Sequence, residues 1–164
     1  MIDIYTDGGC SGNPGPGGWA YTIIKNEELI INNKKKNTEM DNREPVIVAE
    51  KCGAEKSTTN NRMELMAVIS ALEYLPEIKP PVEKITIYTD SQYVQKGITA
   101  WIIDWKSRGW KTSGKDPVKN RDLWQRLDSL AAGFSINWVW VKGHAGNKYN
   151  EHCDTLTQKA IASV

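Results

Sequence analysis

Ile4-Tyr5-Thr6-Asp7 and Ile87-Tyr88-Thr89-Asp90 are two copies of one tetrapeptide, and each ends an apolar run that is typical of a β-strand. Side chains alternate between the faces of a strand, so each tyrosine shares a face with the aspartate two residues later. If the two strands are parallel neighbours, the carboxylates meet. Crowded carboxylates repel, so such a pair shares a proton or holds a cation. The repeat therefore predicts a metal site, although each aspartate could instead cap a turn or helix.

Length and charge indicate one domain with an uneven surface. The 164 residues are enough to bury a core, and the net charge of +1 does not by itself indicate a nucleic-acid binder. Basic residues are nevertheless concentrated between Lys96 and Arg126, where eight Lys and Arg face three Asp. Seven Trp and six Tyr accompany a single Phe, and such rings suit either a core or a surface for polar, planar ligands.

Targeting signals and a disulfide framework are absent from the sequence pattern. No stretch is long and apolar enough to span a bilayer, and the amino terminus lacks a signal-peptide pattern. Cys10, Cys52 and Cys153 are odd in number and have no metal-ligand spacing. We therefore expect a soluble, cytoplasmic chain with reduced thiols. Nothing in the sequence indicates an obligate oligomer, so we expect a monomer.

Hydrophobic periodicity predicts a mixed sheet with covering helices. Strand patterns cover residues 1–6, 46–54, 83–89 and 135–142, and 18–31 has the pattern of a broken hairpin. Helical patterns cover residues 58–75, 92–108, 121–131 and 149–162. Residues 32–45 are polar and include three consecutive lysines, so we expect an exposed loop there. A second, basic loop is expected at 111–119.

Two further acids lie on predicted helices. Glu64 falls on the apolar stripe of Ala67, Val68, Ala71 and Leu75, where solvation does not explain a carboxylate. Its local alternative is a capping box with Asn61 or a nearby threonine. Asp154 lies early in the last predicted helix, where an acid in the first turn would be favoured by the helix dipole alone.

A histidine lies in the loop that precedes the last helix. His144 occurs within Lys142-Gly143-His144-Ala145-Gly146, and the flanking glycines would let it approach and leave a reacting group. The ordinary pKa of imidazole suits proton transfer near neutrality. An isolated loop histidine is more often a surface residue, and His152 in the last helix is interpreted as structural.

Several motifs in one order carry a family resemblance. They are Asp7-Gly8-Gly9 with residues 12–18 (GNPGPGG), residues 58–65 (TTNNRMEL), residues 89–94 (TDSQYV), residues 141–146 (VKGHAG) and residues 150–154 (NEHCD). Together they make the chain resemble ribonuclease H type 1 of the bacterial kind over nearly its whole length. The resemblance implies an α/β ribonuclease H-like fold, with a five-stranded mixed sheet flanked by helices. It implies one domain, 1–164, with a basic handle at about 96–120 and the polar insertion at about 32–45.

The resemblance also implies a reaction. Asp7, Glu64, Asp90 and Asp154 would be the metal-binding catalytic acids, and His144 would be an auxiliary proton carrier. The family hydrolyses the RNA strand of RNA/DNA hybrids with two divalent ions and leaves 5′-phosphate and 3′-hydroxyl ends. Mg²⁺ suits carboxylate ligands, and Mn²⁺ is expected to substitute.

Substrate-binding residues follow from the same resemblance. The minor groove of the hybrid, where 2′-hydroxyls distinguish RNA from DNA, would be lined by Cys10, Gly12, Asn13, Asn60, Asn61 and Gln92. Asn13, Thr59 and Asn120 would form a phosphate pocket for the DNA strand. The handle would contact that strand through Trp101, Trp105, Lys106, Lys111, Lys115 and Lys119. The two tryptophans have an alternative role as a helix core stripe.

Two other functions remain open at the level of sequence. One is a non-catalytic hybrid-binding module, against which the four intact acids argue. The other is a related metal-dependent DNA-cutting enzyme of the same fold, such as a transposase or junction resolvase. The asparagines that resemble hybrid-reading residues, together with the Trp and Lys of the handle, argue against that one. The polar insertion is longer than the family hairpin, so no role is transferred to it.

Overall fold

Within the part of the chain that the structure describes, five strands form a single mixed sheet. The computed structural model describes residues 1–26, 44–82 and 84–164. The strands are β1 (Ile2–Cys10), β2 (Gly15–Lys25), β3 (Val46–Thr58), β4 (Lys84–Thr89) and β5 (Ser135–Trp140), and their order in the sheet is β3-β2-β1-β4-β5. The pairs β1–β2 and β2–β3 are antiparallel, whereas β1–β4 and β4–β5 are parallel. The predicted five-stranded mixed sheet is confirmed.

The two copies of the tetrapeptide lie side by side in the parallel pair β1–β4. Tyr5 is opposite Tyr88, and their rings stack with centroids 4.6 Å apart and planes 8° from parallel. The last pair of this ladder is Thr6 with Thr89, so Asp7 and Asp90 follow it together. The strands that carry these acids are therefore parallel neighbours, as predicted.

The end of β1 differs from the prediction. The strand does not stop at Thr6, because its antiparallel pairing with β2 continues to Cys10 opposite Gly17. Asp7 is therefore still paired with β2, whereas its pairing with β4 has ended one residue earlier. This arrangement holds the backbone of Asp7 in place while its side chain lies at the edge of the parallel pair.

Helices cover both faces of the sheet. They are α1 (Asn60–Tyr74), α2 (Gln92–Lys96), α3 (Ile102–Ser107), α4 (Arg121–Ala131) and α5 (Lys148–Ala162). On one face, α1 buries Leu65, Val68 and Leu72 in a core with Ile4 and Ile23. On the other face α5 packs against β1 and β2, where the Cys153 thiol lies 3.3 Å from the Thr22 hydroxyl. None of the described helices combines the length and apolar character needed to cross a membrane.

The helix expected over 92–108 is interrupted. A π-helical turn, Gly97–Trp101, separates α2 from α3. Gly97 packs directly on the fully buried Trp124, because a Cβ atom at Gly97 would lie 2.1 Å from the indole ring. The periodicity of the sequence could not indicate this contact between residues of two different helices.

Other boundaries shift by a few residues. Strand β3 is longer than expected and runs to Thr58, so α1 begins at Asn60 rather than at residue 58. Strand β2 ends at Lys25. The end of the predicted hairpin at 27–31 and most of the predicted loop at 32–45 lie outside the described residues, as does residue 83.

Candidate active site

Three carboxylates from three elements meet at the carboxyl ends of β1 and β4. Asp7 comes from β1, Glu64 from the second turn of α1, and Asp90 from the residue after β4. Each contributes one oxygen to a group in which all the atoms lie within 4.8 Å of one another. Residues that are far apart in sequence are therefore gathered into one acidic cluster.

A backbone contact brings Glu64 to the sheet. A Cβ atom at Gly8 would lie 2.3 Å from the Met63 carbonyl carbon and 2.4 Å from the Glu64 nitrogen, so only glycine permits this approach. Thr59 caps α1 by accepting a hydrogen bond from the Arg62 nitrogen at 3.3 Å. Glu64 lies beyond the capping-box position and faces Asp7 and Asp90, so the capping-box interpretation is wrong.

Burial raises the pKa of all three acids, and the charges of neighbouring carboxylates raise it further. For Asp7, which is 6% exposed, burial and then the charge of Asp90 raise the pKa from 3.8 to about 7. Burial, followed by the charges of Asp7 and Asp90, raises the pKa of Glu64 well above its ordinary value. Burial also raises the pKa of Asp90. The cluster therefore resists full ionisation in the absence of a cation.

The cluster fits a divalent cation. Glu64 Oε2 is buried and has no hydrogen-bond partner among the described residues. A buried carboxylate oxygen without a partner is costly, and a cation would satisfy it. Carboxylate oxygens are the ligands that Mg²⁺ and Mn²⁺ prefer. Asp7, Glu64 and Asp90 are therefore the residues that would hold such an ion.

Asp154 lies near Asp7 and Asp90 but outside the group of three acids. It is the seventh residue of α5, so it belongs to the second turn, and the interpretation as a first-turn acid is wrong. Its charge raises the pKa of both Asp7 and Asp90, which places it near each of them. It remains available as a fourth acid at the edge of the cluster.

Asn150 is a site residue that the sequence analysis missed. It is 3% exposed and lies one turn before Asp154, and its side chain lies beside Asp90, where it lowers the pKa of that acid. Its spacing of four residues from Asp154 on one helix was the available signal. Trp140 was also missed, and its Nε1 donates to the Asp90 carbonyl oxygen at 3.0 Å.

His144 lies beside Asp90 in an exposed loop. The charge of His144 lowers the pKa of Asp90. A Cβ atom at Gly143 would lie 3.0 Å from Asp90 Oδ2, so the loop passes directly over that acid. The backbone of His144 is left-handed, with φ of 54°. His152, in contrast, lies away from the cluster with its Nε2 2.6 Å from Glu50 Oε2.

The residues expected to line the minor groove lie at the β1–β2 turn and at the starts of α1 and α2. Asn13 Oδ1 accepts from the Asn60 backbone nitrogen at 3.2 Å, which joins the turn to the helix. The Cys10 sulfur lies 3.2 Å from the Gly15 carbonyl oxygen and 3.3 Å from that of Thr58, so its single S–H donates to one or is shared between them. Gly12 has a φ of 80° in the exposed turn. Asn61 is half-buried in the first turn of α1, and Gln92 is exposed at the start of α2.

The expected phosphate pocket includes a residue that the sequence analysis did not assign to it. Thr59 and Asn120 lie near Arg62, whose Nη1 donates to Asn120 Oδ1 at 3.4 Å. The same guanidinium makes two hydrogen bonds to Asp122, at 3.0 and 2.9 Å, and lowers the pKa of Asp122. Arg62 stands three residues after Thr59 on α1, and that spacing was the signal for it.

The handle combines partly buried rings with exposed lysines. Trp105 packs edge-on against Trp124 with ring centroids 5.3 Å apart, whereas Trp101 is 37% exposed. The core-stripe alternative therefore describes Trp105 better than Trp101. Lys106 forms a 3.1 Å ion pair with Asp128. Lys111, Lys115 and Lys119 are exposed around a loop that the buried Val118 anchors.

Comparison with known proteins identifies the family. The RNase H family model matches residues 1–162. A protein of Treponema denticola named Ribonuclease H is 50% identical to this chain, and the match covers 99% of the chain and 98% of that protein. The chain therefore belongs to the ribonuclease H family, and it is a nuclease of the hydrolase class.

Solved structures agree with this assignment. LC9-RNase H1, described as a type 1 RNase H with the type 2 active-site motif, is 32% identical with a TM-score of 0.80, over 99% of this chain and 72% of that one. LC11-RNase H1, solved in complex with an RNA/DNA hybrid, shares the fold at 22% identity and a TM-score of 0.66, over 99% of this chain and 98% of that one. The predicted resemblance to type 1 ribonuclease H is confirmed.

Proposed function

We propose that this chain is an endonuclease that hydrolyses the RNA strand of RNA/DNA hybrids and leaves 5′-phosphate and 3′-hydroxyl ends. The observation that carries the proposal is the group formed by Asp7, Glu64 and Asp90, with an unsatisfied buried oxygen on Glu64. Family membership supports it, and LC11-RNase H1 binds such a hybrid. Mg²⁺ is the proposed cofactor, with Mn²⁺ as a substitute.

Each acid has a proposed part in a two-metal reaction. When bound, the divalent ions supply the positive charge that activates water and stabilises the leaving oxygen. Asp7, Glu64 and Asp90 would bind these ions, and Asp154 at the edge of the cluster would be the fourth acid of the site. Asn150 orients Asp90 through its side chain. His144, in the loop that passes over Asp90, would carry a proton to or from the reacting phosphate.

Substrate recognition is assigned to two surfaces. The residues at the β1–β2 turn and the starts of α1 and α2 would read the 2′-hydroxyls of the RNA strand in the minor groove. Asn13, Thr59 and Asn120, with Arg62 beside them, would bind a phosphate of the DNA strand. The handle, Trp101 with the exposed lysines, would contact the DNA strand further along.

The rest of the proposal concerns the setting of the enzyme. We propose that residues 1–164 form one domain and act as a monomer, with the handle as its substrate-binding protrusion. The free thiols of Cys10, Cys52 and Cys153 suit a reducing compartment, so the cytoplasm is the proposed location.

One gel assay tests the reaction. The chain would be incubated with Mg²⁺ and three matched duplexes of one sequence: RNA/DNA hybrid, double-stranded DNA and double-stranded RNA. We expect cleavage of the hybrid alone, with products that a 5′-phosphate-dependent exonuclease degrades. Asp90→Asn should bind the hybrid without cutting it.

Each alternative function predicts a different gel. Binding of the hybrid without cleavage by the parent would indicate a hybrid-binding module. Cleavage of double-stranded DNA would indicate a DNA-cutting enzyme of the same fold. Either result would contradict the proposal.

A further inference from the structure

Three tyrosines form a cluster directly beneath the acids. Tyr5 and Tyr88 stack on each other, and each precedes an acid of the site by two residues. The ring of Tyr149, in the first turn of α5, lies 5.4 Å from the ring of Tyr5. The cluster therefore joins the two acid-bearing strands to the helix that follows the His144 loop.

Tyr5 is the point at which α5 is attached to β1. Its ring contacts Tyr149, and its carbonyl oxygen lies 3.4 Å from the thiol of Cys153, one turn later on the same helix face. Asn147 caps α5 with its Oδ1, which accepts from the backbone nitrogens of Tyr149 and Asn150. The side chain of Asn147 also lies beside the Tyr5 hydroxyl. The start of α5 is thus fixed to the sheet at several points.

The loop between β5 and α5 is held at both ends. At its beginning, the Val141 nitrogen donates to the Thr89 carbonyl oxygen at 2.9 Å, and Gly143 lies against Asp90. At its end, Asn147 leads into Tyr149. Between these points, His144 and Gly146 are both left-handed, with φ of 54° and 84°. A non-glycine residue keeps such a conformation only when its surroundings impose it.

We propose that Tyr149 is a positioning residue, whose ring, packed on Tyr5, fixes the end of the His144 loop and so holds His144 over Asp90. The inference rests on the proposed function, because it assigns a reason for placing His144. The ring is the part that acts, since the Tyr149 hydroxyl has no hydrogen-bond partner among the described residues. A phenylalanine at position 149 should therefore keep the positioning role, and a leucine should lose it.

Steady-state kinetics on the hybrid separate positioning from binding. Tyr149→Leu should lower kcat by about tenfold with little change in KM, because a small displacement of a reacting group is costly while the groove is unchanged. Tyr149→Phe should retain the parental kcat. Tyr74→Leu, which removes a half-buried ring at the far end of α1, is the matched control and should also leave kcat unchanged.

Two further measurements make the result decisive. In a His144→Ala background, Tyr149→Leu should lower kcat much less than it does in the parent, because the two residues act as one unit. Amide hydrogen exchange of residues 143–147, measured without metal, should accelerate in Tyr149→Leu and not in Tyr149→Phe.

The outcomes distinguish this inference from the proposed function. Unchanged exchange, or faster exchange with unchanged kcat, would overturn the positioning role. So would an equal loss of kcat in both backgrounds, since Tyr149 would then act independently of His144. If the parent does not cut the hybrid at all, the proposed function fails, while the exchange data still report whether the ring holds the loop.

Discussion

At the scale of single residues, Asp7 shows how the site depends on charge. It is buried beside two other carboxylates, so the folded chain opposes its ionisation by desolvation and by repulsion. The unfolded chain does not. Between pH 3.8 and about 7 the folded state therefore holds a proton on Asp7 that the unfolded state has lost. Stability of the metal-free protein should fall as the pH rises through this window.

Asp7→Asn should remove the fall in stability that the metal-free protein shows as the pH rises. In EDTA, we expect the variant to melt at a higher temperature than the parent, with a small difference near pH 4 and a larger one at pH 8. The upper limit of the effect is on the order of 4 kcal/mol, from the width of the pKa shift. Thermal melts of both proteins at several pH values provide the test. A difference that does not grow with pH would mean that the Asp7 carboxylate is well satisfied in the metal-free fold.

At the scale of elements, the contact between β1 and α1 sets the spacing of the acids. We expect Gly8→Ala to destabilise the protein by about 3 kcal/mol or more and to abolish cleavage, because the new methyl group would overlap the α1 backbone. Gly9→Ala is the control, since its Cβ would lie 3.8 Å from the nearest atom, an ordinary contact. Urea unfolding of the two variants should differ strongly. Similar stabilities would show that β1 and α1 can separate without cost.

The handle should supply affinity rather than chemistry. Replacing Lys111, Lys115 and Lys119 with alanine should raise KM for the hybrid with little change in kcat. The log–log dependence of binding on salt should flatten by up to about 0.9 for each lost phosphate contact. The matched control replaces Lys51, Lys84 and Lys159, which are also exposed and carry the same charge. If both triple variants changed the KM and the salt dependence of binding equally, the net charge of the protein rather than the handle would explain the effect.

At the scale of the whole molecule, metal binding and folding should be linked. An ion held by Asp7, Glu64 and Asp90 binds the folded chain, in which alone these residues meet. Mg²⁺ at 100 times its dissociation constant should stabilise the parent by about 2.7 kcal/mol. Asp90→Asn should respond much less, as calorimetric melts with and without Mg²⁺ would show. Equal stabilisation of both proteins would place the ion elsewhere.

The sequence predicted the parts of the fold that local patterns encode. The repeated tetrapeptide indicated parallel neighbours ending in Asp7 and Asp90, and the position of Glu64 on an apolar stripe indicated that it faces the sheet. The continuation of β1 to Cys10 and the turn at Gly97 were missed, because each depends on a partner in another element. The helical spacing of Arg62 from Thr59 and of Asn150 from Asp154 was a signal that each lies at the site. It could not indicate their partners Asp122 and Asp90, which are 60 residues away along the chain.

The contact at Gly8 has a consequence for how the interior of this chain can be varied. Main-chain atoms of α1 lie against β1 there, so no side chain intervenes between the strand of Asp7 and the helix of Glu64. Because backbone atoms are in direct contact at this junction, we expect its spacing to respond less to volume changes in the apolar core than a junction between side chains would. A library that varies the core while keeping Gly8 should therefore retain the site.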